Sequence, residues 1–172
     1  MHLSLEGKNA VICGSSQGIG LAIAEELALL GANCTLMARN EEALQAAIKT
    51  LDIALRQQHS YLVADFTKTS VVKEVIQQHV QQHPVHILVN NTGGPPPGSV
   101  LTATEEAFMQ AFNQHLIVNQ LLGTGSNSFH ERSQLWPYHQ YNFNFYSYSH
   151  YQPGRIGYGA WCSSRMVQDP GQ

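Results

Sequence analysis

The stretch CGSSQGIG at 13–20 sets Gly14, Gly18 and Gly20 between an apolar run and a helical pattern. That spacing suits phosphate binding. Gly14 lets the chain turn sharply, Gly18 lets backbone approach a ligand closely, and Gly20 lets a helix pack on a sheet. The helix that follows points unpaired N–H groups at a pyrophosphate. Ser16, Gln17 and Ile19 line the same turn. Glycine turns also occur for purely structural reasons. Here, however, strand, loop and helix follow in the order that dinucleotide binding needs.

Two other stretches carry chemistry-bearing residues. HVQQHPVH brings His79, His83 and His86 close in sequence, and His79 and His83 share a helix face. A metal could use that spacing. Pro84 redirects the chain, and no Cys or carboxylate completes the set, so a solvated helix end is the favoured reading and no metal is expected. PPPG at 95–98 suits a proline-recognition partner or a rigid loop beside the nucleotide, and the second reading is preferred.

The elements that must position these residues are legible in periodicity. KNAVIC (8–13), CTLMAR (34–39), SYLVADF (60–66) and HILVN (86–90) read as strands. Helical patterns cover 19–32, 40–55, 70–83 and 104–122, the second opening with Asn40 as N-cap and acidic residues in its first turn. Strands alternating with helices imply right-handed crossovers and a parallel sheet, with ligands at the carboxyl ends of the strands. The expected fold class is α/β, a Rossmann-like parallel sheet with helices on both faces, truncated after about four strands and followed by an irregular tail.

The chain has 172 residues and a formal charge of −3. That is enough for one sizeable core, and the charge suggests neither nucleic acid nor a membrane as partner. No apolar run approaches the ~20 residues of a membrane helix, and the opening residues do not read as a signal peptide. Cys13, Cys34 and Cys162 are few and scattered, which fits a reducing cytoplasm.

The motif G-x-x-x-G-x-G at Gly14, Gly18 and Gly20 resembles the short-chain dehydrogenase/reductase family, particularly its 3-oxoacyl carrier-protein reductase-like members. NNTG at 90–93 resembles that family's N-N-A-G, with Thr92 in place of Ala. ADF at 64–66 stands where the family's acidic residue meets the adenine. The resemblance covers residues 6–122. It implies a nicotinamide dinucleotide held by Gly14, Ser16, Gln17, Gly18, Ile19, Gly20, Arg39, Asp65, Phe66, Asn91, Thr92 and Gly93, and a small carbonyl or alcohol substrate. Members that bind NAD usually end the second strand with a carboxylate. Here that end reads Ala38–Arg39–Asn40, and a guanidinium pairs with the 2′-phosphate that a carboxylate would repel. NADP is therefore favoured over NAD, the alternative for Arg39 being a solvated surface charge.

Catalysis in the family uses an Asn, a Ser and Tyr-x-x-x-Lys, the Lys lowering the pKa of the Tyr that transfers the proton. By spacing, the Asn position is His115, which reads either as a proton relay or, preferably, as a plain helix histidine. Lys occurs only at 8, 49, 68 and 73, so Tyr-x-x-x-Lys is impossible after the nucleotide motifs. YQPGR at 151–155 cannot substitute, because Pro153 and Gly154 prevent the helix that would align Tyr151 with Arg155. No catalytic set is intact.

The composition changes near Leu122–Gly123. Both Trp and every Tyr except Tyr61 lie beyond it, and only Leu135, Ile156 and Val167 supply Leu, Ile or Val there. NFNFYSYSHYQ (142–152) is typical. Tyr, His and Asn codons have A in the middle and a pyrimidine last. Read one base later they encode Ile or Thr, so this run is an Ile-rich strand out of frame. In that frame LWPYHQYNFNFY (135–146) permits Y-G-R-I-I-N-I-I-S-T-S, which resembles the family's fifth strand with its catalytic Ser. GTGSNSFH (123–130) permits A-Q-A-L-I-P-F-M, a continuation of the preceding helix, and RMVQDPGQ (165–172) permits W-S-K-T-L-A. A one-base frameshift near codons 122–123 accounts for all three. The alternative is a genuine polar, aromatic-rich tail.

The chain therefore divides into a nucleotide-binding half, 1–122, and an aberrant tail, 123–172, expected to be poorly ordered. The family's homo-oligomer would give way to aggregation through an uncovered fourth strand and the apolar face of the helix at 104–122.

Overall fold

The computed structural model of the chain describes residues 4–93, 103–133 and 139–141. Strands β1 (Asn9–Cys13), β2 (Asn33–Ala38), β3 (Ser60–Val63), β4 (Ile87–Val89) and β5 (His139–Tyr141) form one parallel sheet in the order β3-β2-β1-β4-β5. Helices α1 (Gly18–Leu29), α2 (Glu41–Ile48) and α3 (Thr69–Gln82) make the crossovers. The long helix after β4 comprises α4 (Glu105–Phe112), a π-helical turn at Asn113–Ile117 and α5 (Val118–Ser133).

Strand alternation sorts the core into two layers. Ala10 and Ile12 face α1 and α2, meeting Ala24, Ala28, Leu44 and Ala47 together with Leu36 of β2. Val11 and Cys13 point the opposite way, with Met37 and Leu88, onto Val72, Ile76 and Val80 of α3 and Val118 and Leu122 of α5. Each central strand is buried on both faces, as its nearly continuous apolar run requires. Burial pushes the Cys13 and Cys34 thiols up to about 12, so both are neutral packing groups.

Two expectations from the sequence need correction. The second helix ends at Ile48 rather than Leu55. The Thr50 hydroxyl donates to the Ala47 carbonyl at 2.9 Å, and Leu51 turns into the core. The tail is irregular neither at 123–133 nor at 139–141. Helix α5 runs through Leu122–Gly123 to Ser133, and β5 pairs in parallel with β4, Ile87 opposite His139 and Val89 opposite Tyr141. Tertiary packing carries the helix past two glycines. A β-carbon at Gly125 would lie 3.0 Å from Ile76 Cγ2, so glycine lets α5 come close to α3. The Thr124 and Ser126 hydroxyls donate back to the Gln120 and Leu122 carbonyls, each at 2.8 Å. The remaining tail positions, including 142–152, Tyr151, Arg155 and the third cysteine, Cys162, lie outside the described residues, as does PPPG at 95–98.

The amino edge of the sheet is held by side chains. Asn9 Nδ2 donates to the Pro84 carbonyl at 2.8 Å, and Asn33 Nδ2 donates to Asn9 Oδ1 at 2.9 Å. His86 Nδ1 accepts from the Asn9 N–H at 3.0 Å, and His59 Nδ1 accepts from the Cys34 N–H at 3.1 Å. His86 thus belongs to the strand edge, apart from His79 near the end of α3 and His83 just past it, whose rings stack 5.0 Å apart. Among the described residues no cluster of three metal-ligating side chains occurs, and no helix is long and apolar enough to cross a membrane.

Candidate functional site

The carboxyl edge of the sheet carries the site. The chain leaves β1 at Cys13 and turns at Gly14, whose φ of +60° favours glycine. A β-carbon there would also overlap the Asn91 carbonyl. The Gly14 N–H donates to the Met37 carbonyl at 2.8 Å, which ties the turn to the end of β2. Ser15, not singled out from sequence, is fully buried beside it. Its hydroxyl donates to the Ile12 carbonyl at 2.7 Å and accepts from the Met37 N–H at 3.1 Å. An apolar strand end followed by a buried serine was the available signal, but the sequence does not distinguish Ser15 from Ser16.

Gly20 packs where a β-carbon would overlap the Gly14 carbonyl, so the first turn of α1 lies directly on the loop. Gly18 differs. Its φ is +61°, and a β-carbon there would meet nothing within 4 Å. Gly14 and Gly20 therefore fit the protein to itself, whereas Gly18 faces open space.

Gln17 precedes α1 in extended conformation without a side-chain cap, and the first turn holds no acidic residue. By contrast, α2 is capped by Asn40, with Glu41 and Glu42 following, and α4 by Thr104, with Glu105 and Glu106 following. The start of α3 likewise has neither side-chain cap nor acidic first turn, so it is the open glycine loop ahead of α1, together with its carboxylate-free first turn, that suits this helix start to an anion. Ser16, Gln17 and Ile19 are all solvent-accessible around it, Ile19 at 43%.

Arg39 follows β2 and is exposed, beyond Ala38. Asp65 and Phe66 follow β3 and are partly buried. The Thr67 N–H and hydroxyl both donate to Asp65 Oδ1, at 3.0 and 2.8 Å. Those two bonds, with smaller help from Lys68 and Arg39, hold the carboxyl below its usual range. A hollow of about 470 Å³ lies between Thr67 and α4, but Glu105 and Glu106 on its wall disfavour a phosphate.

Asn91, Thr92 and Gly93 follow β4. Asn91 Nδ2 donates to the Gly14 carbonyl at 3.3 Å, joining the fourth strand to the glycine loop. The Thr92 hydroxyl lies 3.0 Å from His115 Nδ1. His115 is buried within the π-helical turn, and burial lowers its pKa. The structure thus brings the glycine loop, Arg39, Asp65, Asn91 and Thr92 to one edge, with His115 behind Thr92. The residues present fit a dinucleotide phosphate: an uncapped helix start, backbone open at Gly18, and a cation beyond β2.

Comparison with known proteins finds relatives of the fold. The family model described as short chain dehydrogenase matches residues 8–120. Inactive hydroxysteroid dehydrogenase-like protein 1 of Homo sapiens is 34% identical over 118 residues, covering 67% of this chain and 36% of that protein. The 3-oxoacyl-[acyl-carrier-protein] reductase FabG of Chlamydia trachomatis is 32% identical over 113 residues, covering 65% of this chain and 46% of that protein. The crystal structure of L-sorbose reductase from Gluconobacter frateurii, complexed with NADPH and L-sorbose, superposes with a TM-score of 0.69 at 30% identity. That match covers 77% of this chain and 51% of the reductase, so the chain spans about a third to a half of the length of these relatives.

Proposed function

The chain belongs to the short-chain dehydrogenase family, and from that premise we propose that it binds NADP at the carboxyl edge of its sheet without carrying out the family's hydride transfer. The observation that carries the binding half is the glycine loop, fastened to Asn91 and left open at Gly18 beneath an uncapped helix start. The dinucleotide would supply or accept a hydride only alongside a proton-transfer apparatus; in this chain it is a bound ligand. Everything else falls to the chain's own residues.

Those residues bind and orient. The α1 N-terminus receives the pyrophosphate, with Ser16, Gln17 and Ile19 around it. Arg39 pairs with the 2′-phosphate, which favours NADP over NAD. Asp65, kept anionic by Thr67, accepts from the adenine amino group, with Phe66 beside it. Asn91, Thr92 and Gly93 carry the other nucleoside half.

The absence of turnover in this proposal rests on one feature of the sequence: within these 172 residues no Lys follows residue 73, so they hold no Tyr-x-x-x-Lys pair beyond the nucleotide motifs. A frameshift near codons 122–123 would account for the tail's composition, although the shifted frame permits neither Tyr at Ile156–Gly157 nor Lys at Ala160–Trp161, and sequencing the gene across codons 118–126 tests it directly. A reading frame without an added or missing base relative to sibling genes would remove this explanation. The parent protein would reduce or oxidise a small carbonyl or alcohol.

Calorimetric titration with NADPH, followed by assay against a panel of ketones, tests the proposal. Saturable binding without turnover is the expected result. Turnover would show an intact enzyme. Absence of binding would leave a fragment whose role, if any, lies with a protein partner.

A further inference from the structure

Thr92 and His115 are 23 positions apart in sequence, yet their side chains meet at 3.0 Å. Each departs from the motif that surrounds it, Thr92 within NNTG and His115 on the long helix. Neither departure predicted the other, and the structure makes them a pair.

Their position in the fold gives the pair a use. The strand order β3-β2-β1-β4 puts Arg39 and Asp65, beyond β2 and β3, on one side of the glycine loop. Asn91 and Thr92, beyond β4, stand on the other side. A dinucleotide crossing the sheet at this point lays one nucleoside on each side. With the 2′-phosphate at Arg39, the β4 side receives the nicotinamide nucleoside.

The backbone at this end of β4 is held in two directions. Asn91 ties it to the Gly14 carbonyl at 3.3 Å. Thr92 ties it to a buried imidazole in a π-helical turn. Such turns distort a helix locally and recur at functional sites. Burial favours the neutral ring, and the Thr92 hydroxyl, which both donates and accepts, bonds Nδ1 in either tautomer. Thr92 is partly accessible and His115 is buried, so the hydroxyl is the member that meets a ligand and the imidazole is its support.

We infer that Thr92 and His115 act as one positioning unit for the nicotinamide nucleoside half of the dinucleotide, the imidazole holding the threonine hydroxyl and the adjoining backbone in place. The inference rests on the proposed NADP site and adds which residues hold its second half.

The test compares two ligands. NADPH spans both sides of the loop, whereas adenosine 2′,5′-bisphosphate reaches only the Arg39 side. Both are titrated calorimetrically into the full chain and into Thr92→Val, Thr92→Ser and His115→Gln variants. Loss of one hydrogen bond, about 0.5–1.5 kcal/mol, corresponds to roughly twofold to tenfold weaker NADPH binding in Thr92→Val. Bisphosphate affinity should not change, and Thr92→Ser should bind NADPH like the wild type. His115→Gln should weaken NADPH selectively, and Thr92→Val added to it should cost little more. Wild-type NADPH affinity in Thr92→Val would overturn the inference, as would equal loss of both ligands. A wild type that binds bisphosphate but gains nothing from the nicotinamide half would overturn it too and leave the Arg39 side standing. A wild type that binds neither ligand would overturn the NADP site itself.

Discussion

Asn91 Nδ2 donates to the carbonyl of Gly14 across 3.3 Å, and a β-carbon on Gly14 would overlap the Asn91 backbone carbonyl. The glycine loop and the end of the fourth strand are thus fitted to each other before any ligand arrives. This contact explains why a small residue at 14 and an amide at 91 are both required by the protein alone.

Gly14→Ala should therefore destabilise the fold as well as weaken nucleotide binding. The positive φ alone costs ~1–3 kcal/mol for alanine, and the overlap adds to it. Asn91→Ala, which removes one hydrogen bond, should cost about 1 kcal/mol. Urea midpoints of the two variants should fall in that order. A Gly14→Ala variant as stable as the wild type would contradict the described turn.

Arg39 is exposed, so its pairing with a 2′-phosphate is worth only ~0–1 kcal/mol, up to about a fivefold preference for NADPH over NADH. Arg39→Asp should reverse that preference, and the effect should shrink with added salt. Equal affinities for the two cofactors in wild type and variant at low salt would remove Arg39 as the determinant.

His79 is partly buried on α3 against His83, and burial, with the neighbouring imidazole second, lowers its pKa from 6.5 to about 4. The unfolded chain therefore takes up this proton at a higher pH than the folded one. Stability should be complete above about 6.5 and decline as pH falls towards about 4. His79→Gln, which cannot titrate, should flatten that part of a stability-against-pH curve. An unchanged slope between those values would show that His79 is solvated in the native state.

Phe108, Phe112 and Leu116 lie four residues apart, and all are exposed, with Met109 beside them. Strand β5 pairs with β4 at Ile87–Val89, so the edge expected to be bare is matched over those residues. Association should then run through the helix face rather than the strand edge. Phe112→Glu combined with Leu116→Glu should lower light scattering of freshly purified protein. Undiminished scattering would point back to the sheet.

Strands β1, β2 and β4 were legible because each is a short apolar run ended by a turn signal, and burial on both faces demands nothing subtler; β3, at the sheet edge, was legible from its own short β-rich run although it is only partly buried. The glycine loop was legible for the same local reason. Residues 123–133 were not, since two glycines and a run of polar residues argue against a helix, and the packing that favours one, the approach of Gly125 to Ile76 and the burial of Ser126, exists only in the folded chain. The end of α2 depended on a threonine hydroxyl and on Leu51 finding the core. The Thr92–His115 pair could not be read at all, because a contact between a strand end and a helix turn exists only once the sheet has formed. Asp65 was legible as a strand-end carboxylate, but the two Thr67 bonds that keep it anionic were not.

Hydrogen exchange of the full chain, with and without saturating NADPH, tests the central claim most directly, because it reports where the nucleotide sits without requiring turnover. The account predicts slowed exchange at 14–20 and 91–93, with smaller effects after Ala38 and around Asp65, and none at the amino edge near Asn9, Asn33 and His86. Unchanged exchange across the glycine loop would contradict it, as would protection centred on the hollow beside Glu105 and Glu106.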